Sequence, residues 1–555
     1  MRLTRRETLS GLGIAGAAAS NPAAAAAGSA RGQFTPDWPS LTAGYRTPDW
    51  FRDAKFGIWA HWSAQCVPEE GDWYAREMYR QGSNAYKAHL AKYGHPTEFG
   101  FMEIDNLWKA ENWNPERLVD LYTRAGAKYF VALANHHDNF DAFDSTYHSW
   151  NSTRVGPKRD IVGIWARAAR ARGLRFGVSN HSAHAWHWFQ TAYGYDPEGP
   201  LRGRRYDASR LTKADGKGKW WEGLDPQELY AGRTMALPDG VPSMVEANAI
   251  GERTNLIWDE SVPRANPAFA RKWFLRCRDL IDKYRPDLLY FDNSGLPLEH
   301  YGLEIAAHFY NASPSWNDGR MEAVINAKRM PAELRMGLVE DVERGGKGSI
   351  ETYPWQTDTC IGNWHYDRKL YANNGYKTAA TVIHTLCDVI SKNGNLLLSV
   401  PVRGDGTIDD KEERIVEQIA DWMGRYGSAI YGTRPWRIHG EGPTRPNSGM
   451  FGEGGPHSPY TARDIRYARK GQDVHAFVLG WPADDIARLT LWGSGNPVGR
   501  GALARVAVPG APVPLDIRRT ADALEVRLPP GLRNDIGIPL ILSGSGLTEG
   551  SPADS

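Results

Sequence analysis

The chain has 555 residues, with 66 Lys and Arg against 65 Asp and Glu, and 41% of it is apolar. That length exceeds one ordinary domain and predicts a large catalytic unit with at least one accessory domain. The balanced charge excludes an electrostatic case for nucleic acid or an anionic membrane surface as partner. The four cysteines, Cys66, Cys277, Cys360 and Cys387, lack the spacing of a thiolate metal site and argue against a disulfide framework.

Residues 1–30 read as a targeting leader. Arg5-Arg6 precedes a short Gly- and Ala-rich apolar run, and an alanine stretch offers A-x-A cleavage points up to Ala30. This is the pattern of a twin-arginine export signal, which predicts a periplasmic or secreted protein. The run is too short, and too poor in large side chains, to span a membrane. Over 31–432 short apolar runs alternate with helical periods. Strands are predicted over 55–60, 128–133, 174–179, 287–291, 323–326 and 395–400, and helices over 115–125, 160–172, 267–283 and 377–391. Asn114 and Pro115 supply a cap and a first-turn proline, while Gly173 and Arg285-Pro286 supply stops. The alternation predicts a parallel α/β architecture closed into a (β/α) TIM-like barrel. A stretch over 193–240 is rich in Gly, Pro, Lys and Arg, and reads either as a cover on the active-site face or as a solvated loop. Over 433–548 short strands at 474–479, 489–492, 504–508, 524–528 and 539–542 predict a β-sandwich, and 549–555 a frayed tail.

A barrel draws catalytic side chains from the C-terminal ends of several strands. Here those ends carry His61, then Asn135-His136-His137-Asp138, then Asn180-His181, then Asp292-Asn293. Titratable groups at the same end of four strands point to an active site. Two readings fit the histidines. His136, His137, His181, His184 and His187 are candidate metal ligands, or neutral imidazoles hydrogen bond a ring of hydroxyls. Adjacent strand residues point to opposite faces, which disfavours one ion on His136 and His137. The 22 tryptophans, Trp186 and Trp188 among them, suit a sugar-facing wall as well as a core. Glycoside cleavage needs a carboxylate below the anomeric carbon and a carboxylic acid beside the leaving oxygen. Asp292, fixed at the end of an apolar strand, is the candidate for the first.

Four motifs resemble glycoside hydrolase family 29, the α-L-fucosidases. They are Trp50-Phe-Arg-Asp-Ala-Lys-Phe-Gly-Ile-Trp-Ala-His-Trp, Ala127-Lys-Tyr-Phe-Val-Ala-Leu-Ala-Asn-His-His-Asp-Asn-Phe, Asn151-Ser-Thr-Arg-Val-Gly-Pro-Lys-Arg-Asp-Ile-Val-Gly, and Ser391-Lys-Asn-Gly-Asn-Leu-Leu-Leu-Ser-Val running on to Gly404-Asp-Gly-Thr-Ile. They span 50–432 in the order of that family. The resemblance implies a retaining double displacement on a fucosylated glycan, with Asp292 as nucleophile and neither metal nor organic cofactor. It implies fucose-binding roles for His61, Trp73, His136 and His137. Asp72 stands where a Glu is common and Tyr290 where a Trp is common, and His181 joins the expected binding set. For the acid/base, strand alternation and the fit of Gly337-Leu-Val-Glu-Asp-Val-Glu-Arg-Gly favour Glu343, with Glu340 and Glu351 as alternatives. Trp355 is followed by Gln356, which does not titrate and is expected to bind substrate instead. The usual Asn-Asp-Arg segment reads Asn326-Ala327-Lys328, which removes its arginine. An α-L-galactosidase and a catalytically silent fucose-binding protein are the rival readings.

Overall fold

The computed structural model describes residues 34–454, 458–511 and 513–553; the leader read from the sequence lies outside them. Eight parallel strands close into a barrel in chain order: β1 (Phe56–Ala60), β2 (Tyr129–Asn135), β3 (Arg175–Asn180), β4 (Leu288–Ser294), β5 (Val324–Lys328), β6 (Val339–Asp341), β7 (Trp355–Cys360) and β8 (Gly394–Ser399). Closure is made by β1, where Ile58 stands opposite Phe130 of β2 and Leu398 of β8. β1, β2 and β8 are buried throughout, as strands covered on both faces must be, and this explains their nearly unbroken apolar runs. All six predicted barrel strands are present. The two not predicted are β6, only three residues long, and β7, whose Gln356, Thr357, Asp358 and Thr359 disguise a fully buried strand.

The predicted helices form on the expected signals. Pro115–Arg124 is capped by Asn114, whose Oδ1 accepts from Arg117 N at 2.9 Å, and Ile161–Ala171 is capped by Asp160. Pro267–Tyr284 ends on Arg285 in a left-handed conformation before Pro286. His300–Trp316 and Asp410–Tyr426 complete the longer helices around the barrel.

The barrel interior is partly polar. A Cβ on Gly57 would stand 2.3 Å from the Tyr129 ring, so only glycine lets that ring lie across the barrel. The Tyr129 hydroxyl then donates to Gln356 Oε1 at 2.9 Å, and Gln356 Nε2 donates to Asp341 Oδ1 at 2.8 Å. The four cysteines are buried and unpaired.

After the barrel come β9 (Arg434–Glu441), β10 (Ile465–Lys470), β11 (Asp473–Val478), β12 (Ile486–Leu489), β13 (Ala502–Ala507), β14 (Ile517–Arg519), β15 (Leu524–Arg527) and β16 (Ile538–Ser545). They form two antiparallel sheets, ordered β13-β16-β11-β10-β9 and β12-β15-β14. Residues 490–492, read from the sequence as strand, form a 3₁₀ turn that buries Trp492 against Trp436 of β9, with ring centroids 5.3 Å apart. Arg466 of β10 sits 2.6 Å from Asp388 on the barrel helix Ala379–Ser391, and Trp422 donates to the carbonyl of Gly537 at 2.9 Å.

One buried ion pair sets the strand ends that matter below. Arg276, on the helix Pro267–Tyr284, grips Asp141 through Nη2 at 2.6 Å and Nε at 3.0 Å. Asp141 accepts from Asn135 Nδ2 at 2.9 Å, and Asn135 Oδ1 accepts from the backbone N of His181 and Ser182, both at 3.2 Å. The chain of bonds thus joins the ends of β2 and β3. Removing one member of a buried pair strands the other charge. Arg276→Met will therefore destabilise by about 3–5 kcal/mol in urea unfolding; a loss below about 1 kcal/mol would show that the pair does not hold these strand ends.

Candidate active site

The C-terminal ends of the barrel strands open into a cavity of about 470 Å³. Trp59 and His61 reach it from β1 and its end, two residues apart and so on one face. His136 and His137 follow β2, His181 follows β3, and Tyr290 and Asp292 lie on β4. Lys328, Glu343 and Asp358 arrive from β5, the loop after β6, and β7. Asp72 and Trp73, also expected from the sequence, line it too; Trp73 sits in a left-handed conformation with φ 64°. Asp72 also accepts from the backbone N of His365 at 2.7 Å, which ties it to the loop after β7.

Charge is concentrated at one point. Lys328 Nζ donates to Asp292 Oδ1 and, at 2.5 Å, to Glu343 Oε2. Asp292 Oδ2 lies 3.1 Å from His137 Nε2 and 3.3 Å from His181 Nδ1. Burial alone would raise the Asp292 pKa, but Lys328 and the two imidazoles outweigh it and hold the carboxyl well below its ordinary range. Lys328 is likewise buried, yet Asp292 and Glu343 keep its ammonium charged far above the usual lysine range. The lysine therefore takes the bridging place between the two carboxylates.

Burial favours the neutral form of three of the imidazoles. It pushes His181 down to about 4 and holds His61 and His136 well below the ordinary histidine range. Gln65 Nε2 donates to His136 Nδ1 at 3.0 Å, which leaves the other ring nitrogen to carry the proton. His137 Nδ1 donates to the carbonyl of His181 at 2.7 Å, so its contact with Asp292 is a hydrogen bond only in the doubly protonated ring. Burial lowers the His137 pKa and Asp292 pulls it back up. Among the described residues two groups, His61 with His136 and His365, and His136 with His137 and His181, bring ring nitrogens within 4.8 Å of one another, where a metal could be held. His184 and His187 are elsewhere: His184 meets Glu260 at 3.2 Å, and His187 donates to the carbonyl of Thr254 at 3.0 Å.

Three expected residues do not line the cavity. Gln356 points into the barrel, spent on Tyr129 and Asp341. Glu340 is paired with Lys347 at 2.6 Å and Arg335 at 3.1 Å, and Glu351 with Arg335 at 3.6 Å. Of the three glutamates, only Glu343 lines the cavity.

Several lining residues were not read from the sequence. Trp59 and Trp364 are two of them, and they gather their rings with the expected Tyr290, Trp59 lying 4.8 Å from Tyr290 and 5.5 Å from Trp364. The 193–240 stretch supplies no lining side chain. Instead Asn255, Leu256 and Trp258, at and beyond the end of the helix Met244–Asn255, reach the cavity. Just behind them Glu260 accepts from Asn293 Nδ2 at 2.5 Å and from Ser294 N at 2.8 Å, clasping the chain after Asp292. Met450 and Phe451 come from between β9 and β10.

Asp358 accepts from the Tyr290 hydroxyl at 2.6 Å, and burial pushes its pKa up to about 7. A carboxyl raised in the folded state favours its protonated form, so its stability contribution is lost as pH rises from about 4, where the unfolded chain ionises, to about 7. Asp358→Asn keeps the acceptor and removes the titration. Its melting temperature relative to wild type will rise between pH 4 and pH 8; a difference that does not change with pH would show that Asp358 is not held protonated.

The family model for alpha-L-fucosidase matches residues 22–428. The tissue alpha-L-fucosidase of Rattus norvegicus is 27% identical, over 84% of this chain and 83% of its own, and that of Homo sapiens 26%, over 82% and 80%. A crystal structure of the alpha-fucosidase of Thermotoga maritima is similar with TM-score 0.65 and 25% identity, covering 92% of this chain and 100% of that one, and a second structure of that enzyme, equally similar, holds fucose. With the barrel, the clustered histidines and the carboxylates joined by Lys328, the match over most of the chain settles the family: the chain belongs to the alpha-L-fucosidases, a family of glycoside hydrolases.

Proposed function

We propose that the chain releases terminal α-L-fucosyl residues by double displacement, with Asp292 as nucleophile and Glu343 as acid and then base. The observation that carries this reading is the shared ammonium of Lys328. Two carboxyl groups within hydrogen-bond reach of one nitrogen suit the short separation, about 5–5.5 Å, that a covalent intermediate uses. Ionised Asp292 attacks the anomeric carbon; the bond to the leaving oxygen breaks, and Glu343 gives that oxygen its proton. In the resting state the Asp292 charge offsets that of Lys328. In the second step Glu343 takes a proton from the water that attacks the ester of Asp292, and Asp292 leaves as a carboxylate beside Lys328.

The surroundings suit a 6-deoxy sugar. Neutral imidazoles of His61, His136 and His181 donate and accept in the ring plane, as vicinal hydroxyls require. Neither ring nitrogen of His61 meets a protein partner among the described residues. Trp59, Tyr290 and Trp364 offer an apolar wall for the C6 methyl. An L-galactoside would leave its extra hydroxyl unpaired there, which disfavours it.

Asp292→Ala will fold and lose cleavage of an activated aryl fucoside; wild-type turnover would remove the nucleophile assignment. Glu343→Ala will be rescued by azide on a good leaving group, whereas rescue of Glu340→Ala or Glu351→Ala in its place would move the acid/base role. Lys328→Met will lower kcat/KM by about 10²–10³-fold. Without the cation the Asp292 pKa rises, so the acid limb of the rate profile will move to higher pH, and Lys328→Arg will restore it. An unmoved acid limb would show that Lys328 does not keep the nucleophile ionised.

A further inference from the structure

A leaving group departs on the side of the acid that protonates it, so the residues beside Glu343 decide what is accepted there. The backbone around Glu343 is joined to the segment between β9 and β10. Phe451 N donates to the carbonyl of Glu343 at 2.8 Å, Glu453 N to that of Arg344 at 2.8 Å, and Gly449 N to that of Gly346 at 2.7 Å. A Cβ on Gly345 would stand 1.8 Å from the carbonyl oxygen of Gly449, so the two backbones are in direct contact. These bonds carry Met450 and Phe451 to the mouth of the cavity, next to Glu343.

Phe451 is an unusual side chain for that place. It is 52% exposed, and its φ of 57° lies in the left-handed region, which costs an L residue about 1–2 kcal/mol. A core contact would bury the ring, and a plain turn would use Gly or Asn. A strained backbone presenting an apolar ring at a cavity rim is the pattern of a ligand contact. Beyond it the space continues: a second cavity of about 300 Å³ shares Met450 and Arg329 with the first and runs past Lys347, Ser448 and Gly449.

We propose that Met450 and Phe451 form a leaving-group subsite, on which the pyranose ring that carried the fucose stacks, and that the second cavity receives the next unit of an oligosaccharide. This rests on the reading of Glu343 as the acid. The C-terminal sheets thus supply the selectivity for what is released, and the barrel supplies the cleavage.

The test compares a substrate whose leaving group has no body with one whose leaving group is a sugar chain. The full chain, Phe451→Ala and Phe451→Gly are assayed on α-L-fucosyl fluoride and on a fucosylated tetrasaccharide. The glycine variant relieves the backbone strain, so a folding defect cannot explain its loss. The ratio of kcat/KM on the tetrasaccharide to that on the fluoride will fall about tenfold in both variants. Equal losses on the two substrates, or no loss on the tetrasaccharide, would overturn the subsite. So would a wild-type chain that cleaves the fluoride and leaves the tetrasaccharide intact. A wild-type chain inert on both would instead remove the fucosidase reading, and the subsite with it.

Discussion

The site depends on one buried ammonium. Lys328 lies between Asp292 and Glu343 at the end of β5, with the further carboxyls of Asp341 and Asp358 close enough to raise its pKa. In a barrel mouth where burial penalises every charge, a single cation decides which carboxyl stays ionised. Asp292, in contact with it, is held ionised; Asp358, bonded to the Tyr290 hydroxyl, is held near the protonated form. Asp292 and Asp358 are thereby held in different states, the first by contact with the ammonium and the second by burial.

That arrangement needs a rigid frame, and the frame is built from hydrogen bonds at the strand ends. Arg276 and Asp141 fix Asn135, which fixes the turn at His181; Glu260 fixes Asn293 and Ser294. Arg276, Asp141, Asn135 and Glu260 do not line the cavity, yet they set where the imidazoles and Asp292 point.

The sequence made the strands with continuous apolar runs legible, because burial on both faces leaves that signature. The residues just past them, His61, His136, His137, His181 and Asp292, followed from the rule that barrel chemistry sits at strand ends. Trp59 was within reach of the same logic, since it precedes His61 by two. β7 was hidden because its inward residues are polar: Gln356 and Asp358 serve the barrel interior, so the hydrophobic period is absent. Gln356 was mistaken for a substrate contact for the same reason. Glu260, Trp258, Met450 and Phe451 left no local signal, because their importance comes from contacts with residues far away in the chain.

The hydrogen bonds that join 449–453 to 343–346 have a consequence for how such a molecule can diverge. The segment bearing Glu343 and the segment bearing Met450 and Phe451 meet through main-chain hydrogen bonds, with Met450 also packed on Val342 and Trp355 and Glu453 bonded to Thr359. If the proposed subsite holds, replacements at Phe451, whose ring is exposed, can therefore alter which glycans are accepted while the main-chain bond to Glu343 stays in place, because that bond does not depend on side-chain identity. By the same token the barrel is not a free-standing module: cut away from the later sheets, the segment bearing Glu343 would lose the main-chain partners that hold it over the cavity.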